Sequence, residues 1–167
     1  MKTILITISG AVLALLVFAF TTSNKISIDG TWAVVEVQTV KQDGTFTAVY
    51  PKEGLAIFSK NYYSICWTSN DSKAVSWQVA DSTKLNRFNQ SIINTGSYSL
   101  KNTVLTTKAL FAMNPMFTNG IATFDCSYNG DTLVLTGVNV VSKNNVVHPV
   151  YAAGSHIVTK LLRVSNK

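Results

Sequence analysis

The sequence predicts an all-β domain, an eight-stranded antiparallel up-and-down barrel with one short helix. Two observations predict it: stretches rich in β-branched and aromatic residues recur at short spacing, and turn-forming residues separate them. A third is the apolar and polar alternation over residues 121–128, which is typical of a strand with one face in a core and the other in water. The strand–turn–strand order favours an antiparallel meander over βαβ units. Eight closed strands enclose an interior just wide enough for side chains or one small ligand.

The first strand is expected from Gly30 to Thr39. A glycine lets the chain enter the strand through a tight approach, and Trp32 then places a large apolar body on one face. Strand periodicity puts Glu36 on the same face as Trp32, hence inside the barrel. A buried carboxylate is costly unless it is paired or hydrogen-bonded. Glu36 is therefore interpreted either as a polar handle for a ligand or as a charge near the open mouth, in water.

Turn residues divide the rest of the chain into further strands. Gln42-Asp43-Gly44 provides hairpin turn chemistry after the first strand, and Asn129-Gly130-Asp131 is a strong signal for a type I′ hairpin. The later strands are expected at residues 45–50, 55–58, 62–68, 96–100, 103–110, 121–128, 132–137 and 156–164.

Three segments do not have strand patterns. Ser82 or Thr83 is a suitable N-cap and predicts the start of a short helix. Residues 111–117 are apolar but contain Asn-Pro, which disfavours a continued helix, so they predict a loop. Residues 139–154 predict a long, irregular connection. The apolar side of the helix would consist of Leu85, Phe88 and Ile92.

The N-terminus has the pattern of a secretory signal. Lys2 precedes an uncharged, mostly apolar run over residues 4–20, which matches the basic and apolar regions of such a signal. Residues 1–23 are therefore interpreted as a signal peptide or, because the run approaches the length that spans a bilayer, as an uncleaved N-terminal anchor. Lys2 stays cytoplasmic in either case. Residues 27–167 are expected to form an exported domain, in the periplasm or outside the cell.

Composition argues against several classes of function. The formal net charge is +6, but the 14 Lys and Arg residues are scattered, and no basic cluster indicates nucleic-acid binding. An oxidising compartment permits a disulfide, yet Cys66 and Cys126 lie in strands that are not neighbours in a meander, which favours two separate apolar thiols. The spacing of His and Cys does not suit a metal site, and no phosphate loop or paired carboxylates appear. No metal or cofactor is expected.

A set of short motifs follows in order along the chain: Gly30-Thr31-Trp32, Tyr50-Pro51, Gly54-Leu55-Ala56-Ile57-Phe58, Gly96-Ser97-Tyr98, Asn129-Gly130-Asp131-Thr132-Leu133-Val134-Leu135 and a last strand holding Arg163. This order resembles the bacterial lipocalin-like domain family of the calycin group. The resemblance implies that Trp32 packs at the closed end of the barrel and that Arg163 lies across its ring, a cation over an aromatic face. Gly30 completes this structural signature. Leu161-Leu162 stands where an aromatic often precedes the arginine, and the identity of the ligand does not transfer.

Aromatic residues of the expected strands are candidates for lining the barrel. Ligand pockets are mainly apolar with a few polar anchors. The candidate side chains therefore either contact a ligand or pack a filled core. The ligand-binding candidates are Glu36, Tyr62, Tyr98, Phe124 and Tyr128.

The apolar loop over residues 111–117 also has two interpretations. It is either a flexible portal, because methionine adapts to irregular partners, or a segment that simply packs over one end of the barrel. The portal candidates are Phe111, Met113, Met116 and Phe117.

The function that follows from these patterns is binding of a small, largely apolar molecule in the barrel without chemical change. No catalytic residue is assigned. One alternative is a barrel enzyme of isomerase or cyclase type, with Glu36 as the titratable group in the deepest polar spot. Another is an envelope structural or interaction protein with a filled barrel and an exposed apolar patch at residues 111–117. The expected partner is a small hydrophobic ligand; nucleic acid is not expected, and a membrane is contacted only through an uncleaved leader.

Overall fold

The computed structural model of the protein describes residues 26–71 and 73–164. Within these residues, nine antiparallel strands form one sheet, and the connections contain two short α-helices and a 3₁₀ turn. The strands are β1 (Gly30–Val40), β2 (Phe46–Val49), β3 (Glu53–Ser59), β4 (Tyr62–Thr68), β5 (Ser91–Lys101), β6 (Val104–Ala112), β7 (Ile121–Asn129), β8 (Thr132–Val141) and β9 (His156–Arg163). The helices are α1 (Asp81–Asn89) and α2 (Pro149–Ala152), and the 3₁₀ turn is Pro115–Phe117.

The sheet closes into a barrel because β1 pairs with β9, and Trp32 lies opposite Arg163 in that pairing. β3 pairs with the first half of β1, and β2 pairs with the second half of β1. β2 and β3 therefore follow one another along the same edge of β1. Pro51 lies in the break between them, since proline has no backbone N–H to donate. The wall therefore has eight strand positions, which confirms the antiparallel barrel predicted from the sequence.

An apolar core fills one end of the barrel. The chain just before β1 packs into it, and Ile28 is only 1% exposed. Two tyrosine hydroxyls hold this segment: Tyr98 donates to Asp29 Oδ1 at 2.6 Å, and Tyr128 donates to the Ser27 carbonyl at 2.7 Å. This end of the barrel is therefore closed. The largest fully buried side chains are Trp32, Phe58, Ile28, Leu105, Leu133, Leu135 and Leu161.

Trp32 is fully buried in this closed end. The guanidinium carbon of Arg163 lies 4.1 Å from the centroid of the Trp32 ring, and the indole N–H donates to the Ile28 carbonyl at 2.9 Å. Gly30 has φ +132°, and a Cβ built there would lie 2.7 Å from Arg163 Nη1. Only glycine fits this position without displacing the arginine. The three residues have the arrangement that the sequence resemblance implied.

A bulge in β1 changes which of its side chains face the interior. Trp32 and Val34 are buried, but the register with β9 shifts between Val34 and Glu36. Beyond the shift, Val37 and Thr39 line the interior. A bulge inserts one extra residue, so the inward and outward positions exchange after it. The alternation counted from Trp32 therefore fails in the second half of β1.

The helix differs in detail from its sequence expectation. α1 begins after Ala80 and receives no side-chain cap from the expected serine or threonine. None of its residues is buried, so its apolar side is not docked on the core. Ile92 is not on the helix: its pairing with Trp67 extends β5 back to Ser91. Strand pairing overrides the helical periodicity of this segment, because each added pair completes backbone hydrogen bonds.

Both expected loops contain more regular structure than their sequences suggested. β6 continues to Ala112, and residues Pro115–Phe117 form the 3₁₀ turn, in which the Asn114 side chain accepts from the Met116 N–H. In the segment 139–154, β8 continues to Val141 and α2 follows.

The predicted leader, residues 1–23, lies outside the described residues. Among the helices that are described, none has both the length and the apolar character needed to cross a membrane.

Candidate functional site

A cavity of about 330 Å³ lies inside the barrel, beyond the core that surrounds Trp32. Its wall is built from inward-facing residues of the strands and from two connections at the end opposite the closed one, the 3₁₀ turn and the segment that leads into α2. The apolar lining residues include Val37, Val49, Ile65, Trp67, Ile92, Ala109, Ile121, Ala122, Phe124, Leu135, Val140 and Ile157.

The polar groups of the cavity wall are uncharged. Among the described residues that line it there is no Asp, Glu, Lys or Arg. Burial raises the pKa of Tyr63 above its ordinary value of 10.0, with the Thr107 hydroxyl partly opposing the shift. Tyr63 is therefore a neutral hydrogen-bonding group at pH 7. The other polar lining residues are Thr39, Thr47, Asn94, Thr107, His148, Tyr151 and Thr159.

Three aromatic rings from the two connections meet at the rim of the cavity. His148 lies between the other two: its ring centroid is 5.6 Å from that of Phe117 and 6.0 Å from that of Tyr151. The His148–Tyr151 pair is edge-to-face, an arrangement that aromatic quadrupoles favour. We call Phe117, His148 and Tyr151 the aromatic rim.

The structure of α2 determines how the aromatic rim is held. His148 is the N-cap of α2, and its Nδ1 accepts from the Val150 N–H at 3.3 Å. This bond places the proton of the neutral ring on Nε2. Burial lowers the pKa of His148 below its ordinary 6.5, so the ring is neutral at pH 7. The Tyr151 hydroxyl occupies the space that a Cβ would need at Gly137, so a larger residue at this position of β8 would displace it.

The expectation that Glu36 faces the barrel interior is wrong. Because the bulge reverses the alternation, Glu36 points away from the cavity and accepts from Lys160 Nζ at 2.7 Å and from Gln38 Nε2 at 2.6 Å. The hydrogen bond from Lys160 holds the pKa of Glu36 below its ordinary 4.5. Glu36 is thus neither a handle for a ligand in the cavity nor the titratable group that the enzyme alternative placed there.

The aromatic candidates divide between three places. Phe124 lines the cavity and also packs against the closed-end core. Tyr62 does not line the cavity and is 63% exposed, whereas the next residue, Tyr63, is 5% exposed and lines the cavity. Tyr98 and Tyr128 belong to the closed end, where their hydroxyls fasten the segment before β1. For Tyr62, Tyr98 and Tyr128 the prediction of a cavity position is therefore corrected.

The four portal candidates are also separated. Phe117 lines the cavity as part of the aromatic rim. Met113 instead lines a groove on the outer face of the barrel. Phe111 and Met116 are 59% and 56% exposed and line neither. Of these four residues, only Phe117 contacts the cavity.

Several cavity residues were missed by sequence reasoning. Tyr63, Ile65 and Trp67 are alternate residues of β4 and all face the cavity. Choosing Tyr62 as the inward-facing residue assigned the opposite face of the strand to the cavity, so Ile65 and Trp67 were not identified. Asn94 lies in a stretch between the expected helix and the next expected strand. His148 lies in the expected irregular connection, where no periodicity was available to place it.

The two cysteines are free thiols. Cys126 is buried in the closed-end core at 2% exposure, and Cys66 is half-buried on the outer face of β4. In the part of the chain that the structure describes, no group of three or more His, Cys, Asp or Glu residues could hold a metal ion.

The chain matches no protein-family model, no curated protein and no solved structure. The closed antiparallel barrel is compatible with a lipocalin-like calycin fold. The geometry of the cavity is therefore the basis for inferring a function.

Proposed function

We propose that this protein is a lipocalin-like carrier that binds a small, uncharged, largely apolar molecule in its barrel and releases it unchanged, in the periplasm or outside the cell. The observation that carries the proposal is the cavity of about 330 Å³ with a mostly apolar, uncharged wall. The stacked Trp32 and Arg163 pair at the closed end supports the resemblance to bacterial lipocalin-like domains. The pattern of residues 1–23 supports export.

Burial of apolar surface supplies the driving force for binding. A ligand that buries roughly 200 Å² of apolar surface in the cavity gains about 5 kcal/mol at ~25 cal/mol per Å². Part of this gain is offset by the loss of translational and rotational freedom. A charged group would lose its hydration in the cavity without meeting an opposite charge, which is why the ligand is taken to be neutral.

Uncharged polar groups orient the ligand. Tyr63, Asn94 and Thr107 line the cavity from the neighbouring strands β4, β5 and β6. The Thr107 hydroxyl already donates to the Ala122 carbonyl at 3.4 Å and hydrogen-bonds Tyr63, so these two groups keep part of their hydrogen-bonding capacity for a ligand, and the Asn94 amide offers both a donor and an acceptor. The preferred ligand therefore carries one or two neutral hydrogen-bonding groups on an otherwise apolar body.

Titration with N-phenyl-1-naphthylamine tests this proposal. The dye is uncharged, and its fluorescence increases in apolar surroundings. The full chain is expected to bind it, and Ala122→Phe is expected to weaken binding about tenfold, because the new ring occupies part of the cavity. A loss of roughly 60 Å² of apolar contact corresponds to about 1.5 kcal/mol, which is that factor.

Ala48→Phe is the matched control. Ala48 lies on β2 between the cavity-lining residues Thr47 and Val49, so its side chain points to the opposite face. Dye affinity is expected to be unchanged in this variant. Equal affinities for the wild type and Ala122→Phe, or no dye binding to the wild type, would overturn the proposal.

A further inference from the structure

A second depression lies on the outer face of the barrel, between α1 and the sheet. This outer groove has a volume of about 580 Å³, and outward-facing side chains of β3, β4 and β5 line it, among them Leu55, Cys66 and Ile93. Leu55 is 39% exposed and Ile93 37%. The helix stands away from this surface, since none of its residues is buried and Phe88 is 47% exposed. An apolar floor is thus left uncovered by the described part of the chain.

Charged groups line the helix side of the outer groove. Arg87 and Lys84 come from α1, and Glu53 comes from β3. Arg87 Nη2 donates to Glu53 Oε2 at 2.7 Å, and Lys84 Nζ donates to Asp81 Oδ1 at 2.9 Å. The other amino group of Arg87, Nη1, is shielded from solvent and has no hydrogen-bond acceptor among the described residues.

A guanidinium group has donors on both amino groups, so it can bind two carboxylates at once. In this protein Glu53 occupies one amino group of Arg87 and leaves the other without a partner. A shielded cationic donor with no acceptor is unfavourable, and an added anion would remove that cost. The Arg87 side chain as a whole is 40% exposed and lines the outer groove, so the guanidinium lies at its surface, and a carboxylate reaches the shielded Nη1 only when the side chain turns.

We propose that the outer groove is a second binding site, specific for an amphipathic carboxylate with an alkyl chain. Its carboxylate accepts from Arg87 Nη1, and its chain lies on Leu55, Cys66 and Ile93. The ligand differs in charge from that of the barrel cavity, whose described lining has no cationic side chain. The site is therefore independent of the carrier function proposed above.

Cys66 provides a reporter within the outer groove, because its thiol is half-buried there whereas Cys126 is buried in the core. The rate of Cys66 alkylation by N-ethylmaleimide would be followed by mass spectrometry on the full chain. Dodecanoate, below its micelle concentration, is expected to slow the reaction at least fivefold. Dodecanol, which has the same chain without the carboxylate, is expected to protect at least tenfold less effectively.

Three variants identify where the carboxylate binds. Arg87→Met keeps the length of the side chain without its charge and is expected to require at least tenfold more dodecanoate for the same protection. Lys101→Met removes an exposed cation at the end of β5, outside the groove, and is expected to match the wild type. Ala122→Phe partly fills the barrel cavity and is also expected to leave Cys66 protection unchanged.

The proposal is wrong if dodecanoate does not protect Cys66, or if dodecanol protects it equally well. It is also wrong if folded Arg87→Met is protected as well as the wild type; if Ala122→Phe abolishes the protection at the same time, the carboxylate binds in the barrel. Circular dichroism would establish that each variant is folded. The comparison of dodecanoate with dodecanol on the wild type requires no variant, so it decides the outcome even if Arg87→Met does not fold.

Discussion

Replacing Gly30 with alanine is expected to destabilise the closed end of the barrel. The backbone of Gly30 has φ +132°, a conformation that residues with a Cβ rarely adopt. The added Cβ would lie 2.7 Å from Arg163 Nη1, and this side chain lies over the Trp32 ring. The substitution therefore strains the backbone and displaces the arginine from the indole.

Both effects contribute to the expected loss of stability. Holding a non-glycine residue in such a conformation costs about 1–3 kcal/mol. Loss of the cation–π contact between Arg163 and Trp32 costs about 0.5–2 kcal/mol more. The free energy of unfolding of Gly30→Ala is therefore expected to fall by about 1.5–5 kcal/mol, as measured by urea unfolding followed by far-UV circular dichroism.

Gly44→Ala is the matched control for backbone strain alone. Gly44 also has positive φ, +80°, but no described atom outside its chain neighbours lies within 4 Å of a Cβ built there. Its substitution is expected to cost only about 1–2 kcal/mol. Equal losses for Gly30→Ala and Gly44→Ala would refute the role assigned to Arg163.

A double-mutant cycle with Arg163→Met tests the same contact directly. Once the guanidinium is gone, alanine at position 30 no longer collides with Nη1. The effect of Gly30→Ala is therefore expected to be about 1 kcal/mol smaller in the Arg163→Met background than in the wild type. Strict additivity would mean that the two positions do not interact.

Three further predictions concern charge and thiol chemistry. Glu36→Gln is expected to lower the free energy of unfolding by about 1 kcal/mol at pH 7 without changing dye binding, because the hydrogen bond from Lys160 lowers the pKa of Glu36. This stabilisation is present above pH 4.5 and is lost as the pH falls through the lower folded-state pKa. Equal urea midpoints for the variant and the wild type at pH 7 would disprove the prediction. Burial lowers the pKa of His148, so the wild type should lose stability as the pH falls below 6.5. His148→Asn retains an N-capping side chain and should show a flatter profile of urea midpoints between pH 7.5 and 5. Parallel profiles for the two proteins would contradict this prediction. Ellman's reagent should label Cys66 in the native protein and Cys126 only after unfolding, since burial raises the pKa of Cys126 to about 12. Rapid labelling of Cys126 in the native Cys66→Ser variant would contradict this prediction.

The existence of the barrel was predictable because its determinants are local. The hairpin predicted at Asn129-Gly130-Asp131 forms through the two-residue turn Gly130-Asp131, although only Gly130 has positive φ and the turn is therefore not the predicted type I′; the alternation over residues 121–128 identifies a strand with one buried face. The turn and alternation patterns depend on neighbours along the chain, and these are present in the sequence itself. The contact between Trp32 and Arg163 at the two ends of the barrel was implied only by the resemblance of the motif order.

The positions of the site residues depended instead on register. A single bulge between Val34 and Glu36 moves the carboxylate from the inside of the wall to the outside. At the start of β4, two adjacent tyrosines offer two phases, and only pairing with the neighbouring strands selects Tyr63 for the cavity. A shift of one residue reverses every later side chain of a strand, so composition does not reveal it.

By itself, then, the sequence determined the class of the fold, most hairpins and the residues of the Trp32 and Arg163 pair. Only the tertiary structure decided that the barrel has a cavity, that His148 stands at its rim and that an arginine on α1 lies beside an uncovered apolar surface. The physical reason is that a cavity is the difference between the space that the wall encloses and the volume of the side chains directed into it. That difference is set by bulges, strand register and the path of the connections, which bring together residues far apart in the chain.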